Sequence, residues 1–576
     1  MTTETTTPPF PSLEDWQHWT WVMGRAQQML METWADSLKK DEPLPGIAPA
    51  AAVDPMAWMT AGAEAWSKGL EAWGQMLGAT AQVGQKPDRR FASPEWSENP
   101  VFDTIRQSYL AISDHLLGSV EDMEGIDDSA RQKLRFATKA FVDAMSPSNF
   151  ALTNPQVMKR TIETKGENLL HGLKNMLDDL RAGQLSQTKA GAFEVGRNLA
   201  TTPGKVIFEN RLYQLIHYAP ATDQVLATPV VVFPPWINRF YILDLTAEKS
   251  FVRWAVENRI SLFMVSWKSA DESLADVTLD DYVIEGQLDA IDRIRDLLGV
   301  EAVHAIGYCV AGTTLAATLA YLAAKGKAAK VKSATFLTAQ VDFSEAGDLK
   351  LFLGDETMAL LDQVTRDKGY LDGRYMAATF NLLRGRDLIW SYVVNNYLLG
   401  QEPAPFDLLH WNSDVTNLPA GWHRDYLETL YKGNKLVEKG GVSVAGVPVD
   451  LGLVNLPTYI QAGREDHIAP PQSVWKIMAH FQGDKRFVLA GSGHIAGVVN
   501  PPAAGKYQYW TNDADAGSLD AFIAGATEHK GSWWPDWLQW IRKQDPSEVP
   551  AIGARVPGEG KLKAIEDAPG RYVKMR

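Results

Sequence analysis

A sharp strand-to-helix turn around the only cysteine constrains the fold of this 576-residue chain more than any other feature. The turn, Gly307 to Gly312, reads GYCVAG; an apolar stretch, Val303 to Ile306, precedes it and a helix-favouring run, Thr313 to Leu319, follows it. This is the layout of a nucleophile elbow, which carries a reactive side chain, here Cys309, at its tip. Small neighbours leave room for the turn, and the start of the following helix favours a thiolate. A lone cysteine is more often a small buried hydrophobe, so its role depends on its partners.

Two ionisable residues follow later strands of the predicted sheet. Asp466 comes after the predicted strand Thr458 to Ala462, and His494 comes after the predicted strand Phe487 to Leu489. Open α/β sheets build their sites beyond the carboxyl ends of strands, and the chain order nucleophile, acid, histidine is that of α/β-hydrolases. We therefore expect His494 to take the thiol proton and return it to a leaving group, and Asp466 to orient the imidazole.

Neighbouring residues leave alternatives for both partners. Glu465 is the rival acid and His467 is the rival base. We favour His494 as the base because its glycine-rich loop allows the ring to approach the nucleophile. His304 lies inside the strand before the elbow, and we interpret it as a core histidine.

Backbone N–H groups are expected to stabilise the oxyanion of an acyl-transfer reaction. One donor is predicted to be Val310, the residue after the nucleophile. The other is expected in the loop after the predicted strand Val230 to Phe233, which begins with two prolines that have no N–H. Trp236, Ile237 or Asn238 must then supply it, and we choose Ile237.

Composition excludes several classes of function. A net charge of −14 argues against nucleic acid as a partner, and a single cysteine excludes intramolecular disulfides and fits a reducing compartment. The N-terminus lacks a signal-peptide pattern, and no apolar run reaches the ~18 residues that span a bilayer, so we expect a cytoplasmic protein that is soluble or peripherally attached. The histidines are scattered, and no phosphate-cradling or dinucleotide-binding glycine motif is present. We therefore predict no metal and no cofactor.

The chain divides into a helical first part, 1–200, and an α/β part, 201–576, in which strands alternate with helices. Tryptophan-rich amphipathic helices are predicted at 13–40 and 56–80, on either side of a Pro/Ala-rich linker. Further helices are predicted at 98–118, 128–145, 155–183, 280–298 and 313–324. Besides those already named, strands are predicted at 206–208, 212–218, 261–266 and 331–337. An aromatic, loop-rich insertion at 342–450 is expected to cover the strand ends as a cap.

Six sequence blocks resemble those of polyhydroxyalkanoate synthases, and the similarity spans about 200–576. The blocks are Pro234–Asn238, Gly307–Val310, Trp411–Asp414, Arg464–Ile468, Gly493–Gly497 and Gly531–Trp537. The single-chain length and the helical first part suggest the class I type. One position departs from the family pattern: Ala311 stands where the family has glycine, which is tolerable if φ is negative there.

The resemblance implies an α/β-hydrolase fold and polymerisation of (R)-3-hydroxyacyl-coenzyme A, with short-chain units such as 3-hydroxybutyryl-coenzyme A, into a polyester with release of coenzyme A. It also implies Cys309, His494 and Asp466 as nucleophile, base and acid, with coenzyme A only as part of substrate and product. Candidates for substrate contact are Asn238, Arg239, Trp411 and His467.

Expected partners are the growing polyester granule, phasin-like granule proteins and a second copy in a homodimer. The tryptophan-rich N-terminal helices either pack within the protein or hold it on the granule. Two other functions remain open: a cysteine-dependent hydrolase or acyltransferase on the same fold, and a non-catalytic granule-coat scaffold.

Overall fold

The computed structural model describes residues 88–182 and 184–576. The tryptophan-rich helices predicted at 13–40 and 56–80 lie outside the described residues. Within the described part of the chain, no helix is long and apolar enough to cross a membrane.

The described residues form two compact units. The helical unit comprises 88–182, 184–189 and Phe380–Ala404, and the sheet unit comprises Ala190–Thr379 and Pro405–Arg576. The sequence instead places the boundary at residue 200 and assigns all of 342–450 to the cap.

Contacts of the helix Glu167–Ala182 account for the grouping of Phe380–Ala404 with the helical unit. The side-chain amide of Asn168 donates a hydrogen bond to the carbonyl of Leu398 at 2.7 Å. Gly172 lies so close to the backbone of Tyr397 that a Cβ on this glycine would overlap it. These contacts join residues far apart in the sequence, so local patterns do not reveal them.

The helices predicted in this unit are confirmed, except that the one predicted at 155–183 is interrupted. Lys165 and Gly166 have positive φ angles of 52° and 90°, which end one helix and allow a second to begin. The helices are Glu95–Glu98, Pro100–Glu121, Asp128–Ala144, Pro155–Glu163, Glu167–Ala182, Arg386–Trp390 and Val393–Leu398, with short 3₁₀ turns at Arg89–Phe91 and Pro147–Asn149.

An eleven-stranded sheet organises the sheet unit. Its strands are β1 (Gly204–Glu209), β2 (Tyr213–Tyr218), β3 (Val230–Phe233), β4 (Leu262–Trp267), β5 (Val303–Tyr308), β6 (Val331–Leu337), β7 (Thr458–Gly463), β8 (Lys485–Ala490), β9 (Gln508–Thr511), β10 (Thr527–Lys530) and β11 (Glu566–Asp567). Their order across the sheet is β10-β9-β8-β7-β6-β5-β3-β4-β2-β1-β11. The central strands from β8 to β4 are parallel, and the flanking strands are antiparallel.

The central strands are buried on both faces, which explains their nearly continuous apolar sequences. In β3, Val231 and Phe233 face one core while Val230 and Val232 face the other. The first core also holds apolar residues of the helices Asp289–Leu298 and Val310–Ala324, and the second those of Phe251–Glu257 and Trp534–Gln544.

Short strands at or next to the sheet edges were missed by sequence analysis. β9, β10 and β11 read QYWT, TEHK and ED, and they lack the alternation or apolar runs that predict strands. Short, polar edge strands are a common way of blocking edge-to-edge association, so the weak signal of β10 and β11, the two edge strands, has a physical reason.

The insertion between β6 and β7 contributes no strand to the large sheet, as predicted, but it is largely helical and not loop-rich. Several of its helical segments have wide π-type turns, which disrupt the 3.6-residue spacing of apolar positions. Its helices in the sheet unit are Asp355–Thr365, Asp407–Ser413, Ala420–Asp425 and Tyr426–Lys432, and the helix Gly373–Leu383 ends in the helical unit.

Shorter elements complete the sheet unit. The helical ones are Leu279–Asp281, Tyr282–Leu288, Pro471–Trp475, Ile477–His480 and Leu519–Ala524. Three two-stranded pairs join Gln224–Leu226 to Glu548–Pro550, Tyr370–Leu371 to Leu418–Pro419, and Ser443–Val444 to Val447–Pro448.

Two glycines allow the elbow to close. A Cβ on Gly307 would lie 2.5 Å from the Cα of Gly312, and one on Gly312 would overlap Ala339 and lie 2.9 Å from the carbonyl oxygen of Gly307. Ala311 lies in the helix Val310–Ala324 and is not among the residues with positive φ, so its methyl group introduces no backbone strain.

We predict that Gly312→Ala lowers the free energy of unfolding by about 1–3 kcal/mol, because the added methyl group has no space. Gly517→Ala is the matched control, since a Cβ there meets nothing within 4 Å. Urea unfolding followed by circular dichroism measures both variants. Equal stability of the two would contradict the packing argument.

Candidate active site

Cys309 occupies the tip of the elbow, between β5 and the helix Val310–Ala324. Its backbone angles, φ 53° and ψ −127°, lie in a region that non-glycine residues rarely adopt. Its N–H donates to the carbonyl of Leu337 at 2.9 Å, and its own carbonyl accepts from the N–H of Gly312 at 2.9 Å. These bonds on both sides hold the strained residue in place, and its side chain is half-buried.

The side chains of His494 and Asp466 contact each other. Nδ1 of His494 lies 2.7 Å from Oδ2 of Asp466, and the Asp466 side chain is fully buried. The other carboxylate oxygen accepts the N–H groups of Ile468 at 2.8 Å and Ala469 at 3.0 Å. Glu465, the rival acid, is exposed to solvent. Cys309 lies close enough to the same imidazole to raise its pKa, so the structure brings the three predicted residues together.

The charge state of His494 follows from its surroundings. Burial lowers the pKa of this imidazole, but the charges of Asp466 and Cys309 and their hydrogen bonds to the ring outweigh it. The pKa is therefore raised well above its usual value. A raised pKa keeps the ring protonated at neutral pH, where an isolated histidine is mostly neutral. The arrangement favours an imidazolium beside a carboxylate and a sulfur, ready to donate a proton.

Aromatic side chains hold the loop of His494. The indole N–H of Trp533 donates to the carbonyl of Gly497 at 2.8 Å, and that of Trp534 donates to the carbonyl of Val498 at 2.9 Å. The hydroxyl of Tyr308 donates to the carbonyl of His494 itself at 3.1 Å. The loop thus has little freedom to move the imidazole away from Cys309.

A wall of aromatic rings adjoins the site. Trp236 packs edge-on against Trp422 at 5.1 Å between ring centroids, Trp422 stacks on Tyr426 at 5.0 Å, and Tyr426 meets Tyr431 at 5.3 Å. Burial raises the pKa of both tyrosines, and the nearby charge of Cys309 raises each further. Both phenols therefore stay neutral.

The two residues predicted to stabilise an oxyanion lie at the same end of the sheet. Val310 is the first residue of the helix after the elbow. Ile237 lies in the loop after β3, and the last residue of that strand, Phe233, pairs with Gly307 two positions before the nucleophile. Within the described residues, neither backbone N–H has a hydrogen-bond partner.

Arg239 and Trp411 form a buried clamp on the chain terminus. The guanidinium of Arg239 pairs with Asp414 at 2.9 Å and donates to the carbonyls of Val573 at 2.7 Å and Met575 at 2.9 Å. The indole of Trp411 donates to the carbonyl of Arg239 at 2.7 Å. The protein itself occupies these polar groups, and contact of Arg239 and Trp411 with a substrate stays a prediction.

Three further residues considered in the sequence analysis are Asn238, His467 and His304. Asn238 is half-buried, and its side-chain oxygen accepts the N–H of Arg239 at 2.8 Å. His467 is half-buried, and its carbonyl accepts the N–H of Asp348 at 3.1 Å. His304 is buried, its Nδ1 lies 2.7 Å from the Ser333 hydroxyl, and burial lowers its pKa to about 4. It is a neutral core histidine, as predicted.

In the described part of the chain, no group of three or more His, Cys, Asp or Glu side chains could hold a metal ion.

Comparison with known proteins identifies the family. Residues 87–255 match the N-terminal region of poly-beta-hydroxybutyrate polymerase (PhaC), and residues 257–501 match the alpha/beta hydrolase fold. A poly(3-hydroxyalkanoate) polymerase of Methylorubrum extorquens is 45% identical over 100% of both chains. The polymerase subunits of Rhizobium meliloti and Cupriavidus necator are 47% and 45% identical, covering 85% and 88% of this chain and 80% and 86% of their own.

The chain belongs to the poly(3-hydroxyalkanoate) polymerase family. This confirms the resemblance and the α/β-hydrolase fold, and it identifies the chain as an enzyme of the acyltransferase type. A non-catalytic scaffold is therefore not its function.

Several residues near the candidate site were missed by sequence analysis. Tyr308 directly precedes Cys309 in the sequence, so its position beside the candidate site could have been predicted. Trp422, Tyr426 and Tyr431 lie in a stretch interpreted as loop, although a helix places Trp422 and Tyr426, four residues apart, on one face.

We predict that Asp466→Asn lowers the pKa of His494, because burial then acts on the ring without the opposing carboxylate charge. In ¹⁵N-histidine-labelled protein, the wild-type ring stays protonated above pH 6.5 and the variant ring is neutral at pH 7. Glu465→Gln, one residue away and exposed, is the matched control and leaves the titration unchanged. The same titration in all three proteins would refute the relay.

We predict that Arg239→Leu destabilises the fold by about 3–5 kcal/mol, because it leaves Asp414 buried without its main partner. Arg197→Leu removes an exposed arginine paired with Glu194 and changes stability by less than about 1 kcal/mol. Urea unfolding midpoints compare the two. A small effect of Arg239→Leu would show that this clamp is dispensable.

Proposed function

We propose that this enzyme polymerises (R)-3-hydroxyacyl-coenzyme A thioesters into a polyester and releases coenzyme A, with short-chain units such as 3-hydroxybutyryl-coenzyme A, as in the class I type. The relatives are named for poly(3-hydroxyalkanoate) polymerisation. The observation that carries the proposal is the relay of Cys309, His494 and Asp466 at the elbow. The chemistry uses no resident cofactor, since coenzyme A belongs to substrate and product.

The first step acylates the enzyme. The Cys309 thiolate attacks the thioester carbonyl, and the electron pair of the C=O bond moves to oxygen, where the N–H groups of Val310 and Ile237 stabilise it. Collapse of this intermediate breaks the bond to the coenzyme A sulfur, which takes the proton of His494. The products are an acyl-Cys309 thioester and free coenzyme A.

The second step extends the chain. A 3-hydroxyl group attacks the acyl-Cys309 carbonyl, its proton passes to His494, an ester bond forms and the Cys309 thiolate leaves. We assign activation of the hydroxyl to His494 and not to Asp466. Both carboxylate oxygens of Asp466 already accept hydrogen bonds, and its side chain has no exposed surface. Asp466 then acts only through the imidazole.

Exclusion of water distinguishes ester synthesis from hydrolysis, because water competes with the 3-hydroxyl for the same acyl group. The aromatic wall of Trp422, Tyr426 and Tyr431 supports the synthetic function, since Trp422 and Tyr431 are buried, Tyr426 is half-buried, and the charge of Cys309 acts on both tyrosines. The segment that carries them belongs to the predicted cap.

The proposed partners follow from this chemistry. We propose that the enzyme works on the surface of a cytoplasmic polyester granule, alongside phasin-like proteins, and as a homodimer. Removal of residues 1–87 would test the attachment role of the tryptophan-rich segments by its effect on granule association.

Incubation with (R)-3-hydroxybutyryl-coenzyme A tests the proposed function. We expect free coenzyme A together with insoluble polyester, and a loss of more than about 10³-fold in coenzyme A release for Cys309→Ala. Wild-type enzyme alkylated by iodoacetamide is the matched chemical control, because it keeps the fold and blocks only the sulfur.

Soluble 3-hydroxybutyrate in place of polyester would identify the enzyme as a hydrolase and contradict the proposal. Undiminished turnover in Cys309→Ala would contradict the assigned nucleophile.

A further inference from the structure

The loop between β3 and Arg239, which carries the proposed oxyanion donor, is tied down through its carbonyl groups. Trp267 donates its indole N–H to the carbonyl of Pro234 at 2.7 Å, and Trp411 donates to that of Arg239 at 2.7 Å. Between them, the hydroxyl of Thr416 donates to the carbonyl of Trp236 at 2.5 Å. All three bonds are buried, so each fixes the orientation of one peptide group.

The bond from Thr416 fixes the peptide group that joins Trp236 to Ile237. In a trans peptide the C=O and the N–H point in opposite directions. With the carbonyl of Trp236 turned toward Thr416, the N–H of Ile237 must point to the other side of the loop. Asn238 and Trp236 also have N–H groups, but within the described residues the carbonyls of the peptides that contain them have no donor. Ile237 is therefore the candidate whose direction the protein controls.

The surroundings resist rotation of this peptide. The ring of Trp236 stacks on Tyr282, with 3.8 Å between centroids and 5° between planes. Thr416 is itself fixed, because the next residue, Asn417, accepts the N–H of Ala270 and donates its own N–H to Ser269. Donor and acceptor thus sit on two segments that are anchored independently.

We infer that Thr416 is a positioning residue of the oxyanion hole: its hydroxyl holds the Trp236 carbonyl so that the Ile237 N–H faces the oxygen anion formed when Cys309 attacks a thioester. This inference rests on the proposed function. Without the hydroxyl the peptide loses the bond that sets its orientation, and a carbonyl oxygen turned toward the site would repel the anion that an N–H stabilises.

Two variants separate the hydroxyl from the rest of the side chain. Thr416→Val keeps the shape and loses the hydrogen bond, whereas Thr416→Ser keeps the hydroxyl and loses only a methyl group. Rapid-quench acylation of Cys309 by (R)-3-hydroxybutyryl-coenzyme A measures the step that forms the oxyanion. Alkylation of Cys309 by iodoacetamide is the internal control, because displacement of iodide forms no oxyanion yet needs the same sulfur and the same fold.

We expect Thr416→Val to slow acylation roughly 10–100-fold, which does not exceed the rate loss caused by removing one oxyanion donor completely. The effect is expected in kcat, with little change in KM. Its alkylation rate stays at the wild-type value, and Thr416→Ser restores acylation.

Normal acylation by Thr416→Val would overturn the inference. So would an equal fall in acylation and alkylation, which means a distorted triad, or a serine variant as slow as the valine variant, which means packing by the methyl group. Failure of the proposed function gives a different result: wild-type enzyme that is alkylated by iodoacetamide but is not acylated by the thioester.

Discussion

The hydrogen bond between Asp466 and His494 is the interaction on which the site depends. Burial alone would leave the imidazole neutral, and a neutral ring has no proton for a departing thiolate. The carboxylate, fully buried and held by two backbone N–H groups, reverses that effect and raises the pKa of His494. Cys309 also raises the pKa of this ring, so the carboxylate and the sulfur act on one imidazole.

The rest of the sheet unit keeps this pair in register. Trp533 and Trp534, at the start of the helix Trp534–Gln544, donate hydrogen bonds to carbonyls of the histidine loop, and Tyr308 donates to the carbonyl of His494. The strain at Cys309 is stabilised by its bond to Leu337 on the neighbouring strand. Across the nucleophile, Arg239 and Asp414 fix the loop of Ile237 to the chain terminus. Residues distant in the sequence thus hold three segments in place around Cys309: the elbow, the loop of His494 and the loop of Ile237.

Features that depend on residues close together in the sequence were predicted correctly, whereas features that depend on contacts between distant residues were not. The elbow follows from Gly307, Cys309 and Gly312 because only small residues allow so tight a turn, and the central strands follow from unbroken apolar runs. The roles of Arg239 and Tyr431 depend on partners far away in the sequence. Arg239 and Asp414 are 175 residues apart and Gln340 and Tyr431 are 91 residues apart, and no local pattern encodes such pairings. The grouping of Phe380–Ala404 with the helical unit has the same origin.

The most direct test of this account is the identity of the acylated residue. Butyryl-coenzyme A lacks the 3-hydroxyl needed for extension, so it should acylate the enzyme and stop there. Peptide mass spectrometry after acid quench is predicted to find one butyryl group on the peptide that contains Cys309, and none in Cys309→Ala. A butyryl group on another residue, or release of coenzyme A with no label on the protein, would contradict the central claim.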